Sequence, residues 1–511
     1  MKRIIVWLRN DLRVHDNPVL DWAAKYGGKT KEILPVYSID PRFTTRRVEK
    51  YDTQKCGPLR ARFLLETLEN LRTNLEALGS HLLITLEKPE DFLPLLISEN
   101  ADNTLVYQEE ICKEELDVEK AVKDAMASKK AKVQGIWGST IYHRDDLPFK
   151  PAEYLPHIYG KFREKTEGTR VRAILPTPKK GELAFPAKKN DLITKTSSFL
   201  PDLVKDLGYP KDSLPPQDPR ACYDFKGGED AGLKRLKEYL WDTKAVAQYA
   251  LTRNQLLGSN YSSKLSPWLA LGALSPRQIY HETRKFEDKH RKNESTKVFV
   301  DELFWRDFNR YWCMRYGTKV FFEYGIYDRT YYDWKTNMDI INRWRQGKTG
   351  MPLIDALMRD MNATGFMPNR GRMVVACYLT MDLKQDWRYG AHYFEEKLID
   401  HDVQSNYGGW AFSSGIGPGR VLVFNSVKQS RDFDKNGEYI KSWVPELKRV
   451  PTEYIHEPWT MPLTLQVACK TKIGEDYPKP IACEKYVKTG SAGAGAAKKV
   501  VKKRSKSASS D

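Results

Sequence analysis

The chain has 511 residues, of which 41% are hydrophobic and 30% are charged, a composition typical of a folded protein and not of a disordered one. This length exceeds what one hydrophobic core usually organises, so two domains with connecting segments are expected. The formal charge of +17 favours a polyanionic partner, and no apolar run approaches the roughly 20 residues that a membrane span requires.

The basic excess is partly confined to one end of the sequence. Residues 485–511 hold eight basic residues and one acid, which leaves +10 for the rest of the chain. A nucleic-acid surface on the folded part is therefore still expected. The run "KKVVKKRSK" in this segment is typical of a nuclear import signal.

The cellular context follows from two further features. The seven cysteines are scattered and form no CxxC pair, so neither a disulfide framework nor a zinc ribbon is indicated. The sequence enters a strand pattern at once ("MKRIIVWL"), which predicts no signal or transit peptide. The expected location is the nucleus or the cytoplasm.

Residues 1–140 alternate between two periodicities. Short apolar runs of the kind that form buried strands occur at residues 4–8, 33–39, 81–86, 104–108 and 132–137. Helical patterns lie between them, and the clearest has apolar residues on one face up to Gly79. This alternation predicts an α/β domain with a doubly wound, Rossmann-like parallel sheet over residues 1–140.

The remainder of the chain changes in composition twice. Residues 141–226 are rich in Pro, Lys and Asp ("PTPKKGELAFPAKK") and predict an interdomain connector that runs over a surface. Residues 227–460 carry helical patterns rich in Trp, Tyr and Arg without alternating strands, which predicts an all-α domain. Residues 461–511 are Pro-rich and then basic, typical of a disordered tail.

The stretch "IDHDVQSNYGGWAF" (399–412) places His401 between Asp400 and Asp402. A metal site is one interpretation. Adjacent side chains on a helix point apart, however, and no second His or Cys cluster lies nearby in the sequence. The two carboxylates are better explained as acceptors for a polar ligand edge or for an arginine.

A hydroxyl-rich stretch, "SNYSSKLSPW", precedes a predicted helix with Pro267 in its first turn. Ser262, Ser263 and Ser266 supply three hydroxyls. Lys264 adds an ammonium beside free backbone N–H groups, a combination typical of an anion-binding helix N-terminus. An ordinary Ser/Pro helix cap is the alternative, although a cap needs only one hydroxyl.

Tryptophan and arginine are frequent in the helical region. A Trp-rich helical core with arginines on its rim is most simply explained as packing. Together with the hydroxyl-rich stretch, the paired aspartates and the basic surface, a large stacked cofactor and a nucleic acid become alternatives. The residues concerned are Trp305, Trp334, Trp344, Trp387, Trp410, Arg306, Arg310, Arg370 and Arg372.

Several longer motifs follow one another along the chain. They include "VWLRNDLRVHDNP", "YSSKLSPWLALGALSPRQIY", "ELFWRDFNRYWCMRYG", "MPLIDALMRDMNATGFMPNRGRM" and "LIDHDVQSNYGGWAF". In this order they resemble the photolyase/cryptochrome family, and most of all its DASH-type cryptochromes. The resemblance extends over the chain except for connector stretches and the tail. It implies an α/β antenna-binding domain followed by a helical FAD-binding domain.

The resemblance assigns residues to an FAD site. It implies that the pyrophosphate lies on the hydroxyl-rich stretch and that Arg372 pairs with Asp400. Asp400 and Asp402 would hold polar edges of the isoalloxazine and ribose, and Asn406 would face flavin N5 and tune its reduced forms. The implied cofactor contacts are Tyr249, Ser262, Ser263, Lys264, Leu265, Ser266, Asn369, Arg372, Asp400, Asp402 and Asn406.

The resemblance also implies a light-driven reaction. Trp410, Trp387 and Trp334 match a three-tryptophan chain that carries an electron from the surface to photoexcited flavin. Glu302 would hydrogen-bond the carbonyls of a cyclobutane pyrimidine dimer, Trp305 would stack on the flipped dinucleotide, and Arg306 would contact phosphate or flavin. The implied catalytic residues are Trp334, Trp387, Trp410, Asn406 and Glu302.

The implied enzyme is a deoxyribodipyrimidine photo-lyase. Reduced FAD would absorb blue or near-UV light, directly or from an antenna pigment, and pass one electron to the dimer, which splits and returns the electron. The implied antenna is 5,10-methenyltetrahydrofolate, with Glu110 in the segment that contacts it.

Two positions on the substrate side depart from the DASH pattern. Phe412 would pack on thymine without offering a hydrogen bond, and Met373 matches the residue that repair photolyases of duplex DNA have at this position. The implied substrate-binding residues are Glu302, Trp305, Arg306, Met373 and Phe412.

The expected partner is UV-damaged DNA, single-stranded and also duplex, with RNA as a further candidate. A monomer without membrane contact is expected. Two other functions stay open. One is a blue-light photoreceptor that acts in signalling or transcriptional regulation without repair, which the appended tail suggests. The other is a nucleic-acid-binding flavoprotein that needs no light.

Overall fold

The computed structural model describes residues 1–26, 28, 31–187, 189–214, 216–419, 421 and 423–481. The basic segment from residue 482 onward, with its predicted nuclear import signal, lies outside the described residues.

A five-stranded parallel sheet organises the N-terminal part, as the alternating pattern predicts. Its strands are β1 (Lys2–Leu8), β2 (Lys31–Ser38), β5 (Leu83–Thr85), β6 (Asp102–Gln108) and β7 (Lys132–Ile136), while β3 (Arg47–Val48) and β4 (Thr53–Gln54) pair separately. The order β5-β2-β1-β6-β7 shows that the chain winds outward in both directions from β1. Ile4 of β1 pairs with Ile33 of β2 on one side and with Thr104 of β6 on the other.

Helices cover both faces of the sheet, because successive side chains of β1 point to opposite sides. They are α1 (Pro18–Lys25), α2 (Pro58–Ala77), α3 (Pro89–Phe92) and α4 (Lys113–Ser128). Ile4 and Val6 lie in one apolar cluster with residues of α1 and α2, whereas Ile5 and Trp7 lie in another with residues of α4. Helix α2 ends just before Gly79, whose φ of +77° suits the predicted stop.

The connector contains more structure than its composition predicts. Two short helices, α5 (Tyr159–Lys165) and α6 (Asp191–Ser198), lie within it. Phe162 of α5 is buried in the core of the helical part, and Ile193 of α6 packs against the sheet. Each helix has only seven or eight residues, too few for an apolar period to stand out between prolines and lysines.

The helical part contains twelve α-helices among the described residues between 227 and 460. They are α7 (Glu229–Lys237), α8 (Tyr249–Thr252), α9 (Ser266–Ala270), α10 (Pro276–His290), α11 (Glu294–Tyr316), α12 (Met338–Arg345), α13 (Pro352–Thr364), α14 (Asn369–Cys377), α15 (Trp387–Lys397), α16 (Val403–Ser413), α17 (Ser426–Phe433) and α18 (Glu438–Trp443). π-Helical turns extend α7 over Glu238–Asp242 and α14 over Tyr378–Asp382. Trp268, Trp344 and Trp387 are among the largest fully buried side chains.

Short 3-10 helices complete the described structure. They span Glu49–Tyr51, Leu93–Leu96, Arg144–Asp146, Ala245–Gln248, Gly317–Phe321, Pro445–Leu447 and Pro458–Thr460. None of the described helices combines the length and the apolar character that crossing a membrane requires.

The prediction that a disordered tail begins at residue 461 is wrong for residues 461–481. A further helix, α19 (Leu463–Ala468), begins there. Tyr477 is buried and donates a hydrogen bond to Asp355 Oδ2 at 2.6 Å, and Ile481 N donates to the carbonyl of Thr349 at 2.9 Å. Isolated anchors of this kind leave no periodic pattern in a Pro- and Lys-rich sequence.

Buried polar contacts join the sheet part to the helical part. Arg277 of α10 forms an ion pair with Asp16, with Nη2 2.6 Å from Oδ1. Gly272, at φ +65°, lies so close to the loop after β1 that a Cβ would be 1.9 Å from the carbonyl oxygen of Asn10. The two parts therefore have a fixed backbone-to-backbone contact beside α9 and α11.

Candidate functional site

Asp400 lies in the loop between α15 and α16 and is buried. Its Oδ2 accepts hydrogen bonds from Ser266 Oγ at 2.6 Å and from Arg372 Nη2 at 2.7 Å. Arg372 is held by a second bond, from Nε to the carbonyl of Met367 at 2.9 Å. The ion pair between Arg372 and Asp400 that the resemblance implies is present.

Asp402 caps the N-terminus of α16, where its Oδ1 accepts from Ser405 N at 2.8 Å. Its Oδ2 lies 3.0 Å from Arg310 Nη2 and 3.7 Å from Arg306 Nη2. Burial alone would raise the pKa of Asp402, but the two guanidinium groups and the bond from Ser405 lower it to about 2. Its carboxylate is thus ionised and bound mainly to protein donors.

Arg306 is half-buried, and protein carbonyls bind its guanidinium group. Its Nη1 donates to the carbonyl of Ser139 at 2.7 Å, and its Nη2 donates to the carbonyl of Leu269 at 3.3 Å. Burial and the neighbouring charge of Arg310 lower its pKa to about 10. The implied contact of Arg306 with phosphate or flavin stays a prediction. The residue adjacent to Trp305 on a helix points about 100° away from it.

The hydroxyl-rich stretch is organised by a residue that the sequence reasoning missed. Arg235 of α7 is fully buried, and its guanidinium donates to the carbonyls of Ser263 at 2.9 Å and Ser259 at 2.9 Å and to Asn260 Oδ1 at 3.0 Å. In the sequence Arg235 belongs to the run "LKRLKEYL", where nothing distinguishes it from a solvated basic residue. Burial of this arginine against backbone carbonyls fixes the loop.

One of the three hydroxyls that the sequence predicts as phosphate ligands already has a partner in the protein. The Ser266 hydroxyl bonds Asp400, and α9, which follows, is only five residues long. Lys264 adopts φ +55°, and its Nζ lies 3.3 Å from the centroid of the Tyr261 ring. Leu265 is buried, whereas Ser262 and Ser263 are half-buried. Of the four side chains predicted to hold phosphate, the Ser266 hydroxyl therefore has a hydrogen-bond partner in the protein, and the Lys264 amine has a ring contact.

Two buried polar atoms test whether a large polar cofactor fits here. Asp400 Oδ1 and Lys264 Nζ have no hydrogen-bond partner among the described residues. Burial lowers the pKa of Lys264 to about 7. An acceptor and a donor left in this condition destabilise a protein unless another group satisfies them. A ligand with both an anionic group and an N–H or O–H donor, such as FAD, fits.

The other implied cofactor contacts lie nearby on three elements. Tyr249, at the start of α8, is buried and packs edge-on to Phe299 at 5.4 Å between ring centroids. Asn369 is exposed at the first residue of α14, one turn before Arg372. Asn406 on α16 donates from Nδ2 to the carbonyl of Ala391 at 3.0 Å.

Glu302 is half-buried on α11 and forms an ion pair with Arg253, with 2.5 Å between Oε1 and Nη1. Burial raises the pKa of Glu302, and Arg253 only partly opposes this. Arg370 lies close by, since it bonds Asn254 Oδ1 at 3.1 Å through Nη2. Its Nη1 is 4.0 Å from the sulfur of Met373. Glu302 thus lies among basic residues, of which Arg253 was not predicted.

Trp305 and Phe412 line one cavity of about 80 Å³, so the two implied substrate-side aromatics are neighbours. Tyr159 stacks on Trp305, with ring centroids 3.8 Å apart and planes at 13°. Tyr159 comes from α5 in the connector, and the sequence reasoning missed it for that reason. The Asn309 and Trp312 side chains contribute further lining.

The three tryptophans that the resemblance implies as an electron relay lie on neighbouring segments. Trp410 on α16 packs directly against Gly390 of α15, where a Cβ would be 2.0 Å from the Trp410 ring. Trp387 begins the same helix, three residues before Gly390. Trp334 precedes Lys335, whose N–H donates to the carbonyl of Lys384 at 2.9 Å beside the start of α15. Trp410 and Trp387 thus lie on adjacent helices and are buried, whereas Trp334 lies beside the start of α15 and is half-buried.

Trp344 also touches Trp410, at 6.1 Å between ring centroids and 71° between planes. It is fully buried, and its indole N–H donates to the carbonyl of Val375 at 3.1 Å. Trp344 thus fits the core-packing interpretation, since its ring has no path to solvent of its own.

Glu110 is buried where the sheet part meets the helical part. It accepts a hydrogen bond from Asn10 Nδ2 at 3.2 Å and lies 3.6 Å from Arg310 Nη1. Asn10 and Arg310 line a cavity of about 140 Å³ between the two parts. His401 lines the same cavity, and burial lowers its pKa to about 3. No cluster of three His, Cys, Asp or Glu side chains with metal-binding geometry occurs in the described ranges.

Two protein-family models match the chain. The model described as DNA photolyase matches residues 4–180, and the model described as FAD binding domain of DNA photolyase matches residues 299–490. The second range includes Glu302, Trp305, Arg372, Asp400 and Trp410.

Relatives match over nearly the whole length. Cryptochrome DASH of Danio rerio is 42% identical over 484 residues, which cover 94% of this chain and 90% of the relative. Cryptochrome DASH of Gloeobacter violaceus is 41% identical over 482 residues, with 94% and 93% covered.

Solved structures agree with the fold. The Synechocystis cryptochrome superposes with a TM-score of 0.86 at 39% identity, covering 94% of this chain and 96% of that one. A bacterial class III photolyase from Agrobacterium tumefaciens gives a TM-score of 0.77 at 27% identity, with 94% of each chain covered. With these relatives and with the site geometry described above, the chain belongs to the photolyase/cryptochrome family.

Proposed function

We propose that this protein is a light-dependent lyase that splits cyclobutane pyrimidine dimers in UV-damaged DNA with FAD as its cofactor. The observation that most supports this proposal is that two packed helices, α11 and α16, carry residues of both the aromatic cavity and the implied cofactor site. The two helices pack together and carry the aromatic cavity of Trp305 and Phe412. They also carry Arg310, which pairs with the buried Asp402, and Asn406, which donates to the carbonyl of Ala391.

The residues of this chain fit distinct tasks around the cofactor. When bound, FAD supplies a light-excited electron donor, which is chemistry that the protein side chains lack. Arg372, Ser266 and Asp400 would orient it, and Lys264 would neutralise its phosphates. Trp410, Trp387 and Trp334 would carry electrons inward from the surface.

Glu302 would act on the substrate. Burial raises the pKa of Glu302, which lowers the cost of protonating it beside a bound base, and the protonated carboxyl would donate a hydrogen bond to a base carbonyl. Arg253 and Arg370 would bind backbone phosphates, a contact that depends on salt and not on sequence. A dimer that pairs poorly leaves the stack at low cost and would enter the cavity beside Trp305.

Phe412 and Met373 bear on strand preference. Phe412 supplies a face for stacking without a hydrogen bond, and stacking tolerates any base. We therefore propose activity on single-stranded and duplex DNA, with RNA as a further ligand.

We also propose a folate antenna, 5,10-methenyltetrahydrofolate, near Glu110. The cavity of about 140 Å³ beside this residue supports the location. Two measurements test for bound folate: the absorption spectrum of the purified protein, and the amount of folate that is released when the protein is denatured. Glu110→Gln should lower the folate content, and unchanged content would contradict the contact.

The central experiment follows dimers in irradiated single-stranded and duplex DNA under blue light and in the dark. Light-dependent loss of dimers is expected on at least one substrate. Glu302→Ala should lower the rate about 10-fold or more and retain flavin, because the variant has no group that can hydrogen-bond the reacting bases. Glu294→Ala, an exposed acid on the same helix, is the matched control and should leave the rate unchanged.

A blue-light receptor is the second candidate, and one observation favours it. Tyr159 covers one face of Trp305 at 3.8 Å, so a flipped base must use the other face or displace Tyr159. If no light-dependent loss of dimers occurs on either DNA, the lyase proposal fails and the receptor is favoured.

A further inference from the structure

Two tyrosines continue the line of tryptophans beyond Trp334. Tyr332 stacks on Trp334, with ring centroids 4.9 Å apart and planes at 12°. Tyr331 contacts Tyr332 with centroids 4.8 Å apart and planes at 36°, and it is 58% exposed. Trp334 itself is half-buried, with its indole N–H in the interior. The exposed end of this aromatic stack is therefore a phenol and not an indole.

The stack is tied to the helix that carries Trp410. The Tyr332 hydroxyl donates to the carbonyl of Gly415 at 3.4 Å, and Arg329 donates to the same carbonyl. Gly415 lies just beyond the C-terminus of α16. The hydroxyl contact with Gly415 and the ring contact with Trp334 thus fix the Tyr332 ring in place. Because the two rings stay in contact, electron transfer from Tyr332 to Trp334 is favoured.

We propose that Tyr332 and Tyr331 extend the electron relay to the surface, where a soluble thiol delivers the electron. The inference rests on the proposed function, in which Trp334 is oxidised by light. The oxidised Trp334 takes one electron from Tyr332, whose phenol releases its proton to water and becomes a neutral tyrosyl radical. Tyr332 regains an electron and a proton from Tyr331. Tyr331 is restored by a hydrogen atom from the thiol, which leaves as a thiyl radical.

Proton release distinguishes a tyrosine at this position from a fourth tryptophan, because it prolongs the charge separation. A neutral tyrosyl radical cannot take its electron back from the cofactor side until a proton returns as well. The charge separation therefore lasts longer, and a dilute thiol has time to react. The partial exposure of Tyr332 lets water accept its proton, and the exposure of Tyr331 gives the thiol access.

The test uses the full chain with FAD bound, with and without dithiothreitol. Electron paramagnetic resonance and transient absorption after a light flash should show a tyrosyl radical, and ring-deuterated tyrosine should change its hyperfine pattern. Tyr332→Phe keeps the stacked ring and should abolish the tyrosyl radicals, and it should shorten the lifetime of the charge-separated state, followed on the flavin radical, about 10-fold. Tyr331→Phe should keep a radical at Tyr332 but slow its reduction by thiol several-fold.

Tyr327→Phe is the control, because Tyr327 is also exposed and lies near Arg329 at 5.1 Å but has no ring contact with Trp334 among the described residues. It should behave as the unaltered protein. In the unaltered protein a tryptophan radical without any tyrosyl radical overturns the extension and leaves the proposed function standing, and so does an unchanged lifetime of the charge-separated state in Tyr332→Phe. Absence of every light-induced protein radical overturns both the extension and the light-driven relay.

Discussion

At the scale of single residues, Asp400 and Asp402 show how two similar side chains come to different roles. Asp402 is the N-cap of α16, so its carboxylate folds back onto Ser405 N and meets Arg310. Asp400 precedes the cap and faces the hydroxyl-rich stretch, where it bonds Ser266 and keeps one oxygen without a partner in the described structure. Asp400 is therefore the carboxylate that remains available to a ligand.

Replacement of Asp400 by Asn should release the cofactor. Asn retains the shape but removes the charge that Arg372 binds, and charge-assisted hydrogen bonds contribute about 1.5–3 kcal/mol each. We expect flavin affinity to fall about 10-fold or more, measured as the flavin-to-protein ratio and by fluorescence titration. Asp355→Asn is the matched control. This buried acid bonds Tyr477 and Thr349, so the variant should be less stable but retain flavin.

Lys264 should make the cofactor-free protein less stable near neutral pH. Its folded-state pKa of about 7 lies below the ordinary 10.5, so the neutral amine is favoured in the folded state. The stability that comes from the neutral amine is present above pH 10.5 and is lost as pH falls toward 7. Lys264→Met should therefore raise the melting temperature of flavin-free protein at pH 7 and lower flavin affinity.

Lys234→Met provides the comparison for Lys264→Met, because Lys234 is exposed on α7. Its melting temperature should stay close to that of the unaltered protein. Equal stability of Lys264→Met and unaltered protein throughout pH 7–10 would contradict the burial of an unpartnered amine.

Some site residues could be predicted from the sequence and others could not, for a physical reason. The Arg372–Asp400 pair followed from motif positions that the resemblance supplied. Arg235, Arg253 and Tyr159 were missed, because each acts through a contact with a residue far away in sequence. No local pattern distinguishes a buried Arg235 from a solvated one.

At the scale of elements, α16 links the parts of the site. It begins at the Asp402 cap, carries Asn406 and Trp410, and ends near Phe412 at the aromatic cavity. Its approach to α15 depends on Gly390, whose missing side chain makes room for the Trp410 ring. The spacing of these helices therefore sets the distance between Trp410 and Trp387.

Gly390→Ala should separate α15 from α16. A Cβ 2.0 Å from the Trp410 ring cannot be accommodated without movement, and overpacking of this kind costs about 1–3 kcal/mol. We expect a lower melting temperature and slower light-driven reduction of the bound flavin. Gly409→Ala is the control, since a Cβ there has no atom within 4 Å. Because alanine has a higher helix propensity than glycine, the free energy of unfolding of Gly409→Ala should equal that of the unaltered protein or exceed it by up to about 1 kcal/mol.

Elements were predicted well where the pattern was long and poorly where it was short. The five strands of the sheet and α2 have several apolar residues at a regular period, and all six occur as predicted. Helices α5, α6 and α19 are six to eight residues long and were missed. Each depends on one or two tertiary contacts, which outweigh the local preference of the sequence.

At the scale of the whole molecule, the net charge of +17 and the basic residues beside Glu302 determine how DNA would bind. The charge attracts any nucleic acid over a long range, whereas the cavity selects the damaged bases. Affinity for undamaged DNA should therefore depend mainly on salt, and discrimination in favour of dimers should not.

Arg253→Gln and Arg370→Gln should each weaken DNA binding in proportion to the number of phosphates that the arginine neutralises. The slope of log K against log salt should fall by about 0.7–0.9 for each of those phosphates. Filter binding or fluorescence anisotropy at several salt concentrations measures it. Lys285→Gln, an exposed cation on α10 paired with Glu282, is the control and should leave the slope unchanged. An unaltered slope in both arginine variants would contradict the proposed phosphate contacts and indicate that DNA binds to another face of the protein.

The connector also determines what happens if the chain is cut. Phe162, before the exposed residues Glu167 and Gly168, inserts into the helical core, whereas Leu183 and Ile193, after them, insert beside the sheet. Each of the two fragments would thus insert an apolar side chain into the part formed by the other fragment.

A protease that cuts the backbone at this point should yield two fragments that stay together through gel filtration. The same two fragments, encoded as separate genes, should reassemble when expressed in one cell, which makes this position suitable for a split reporter.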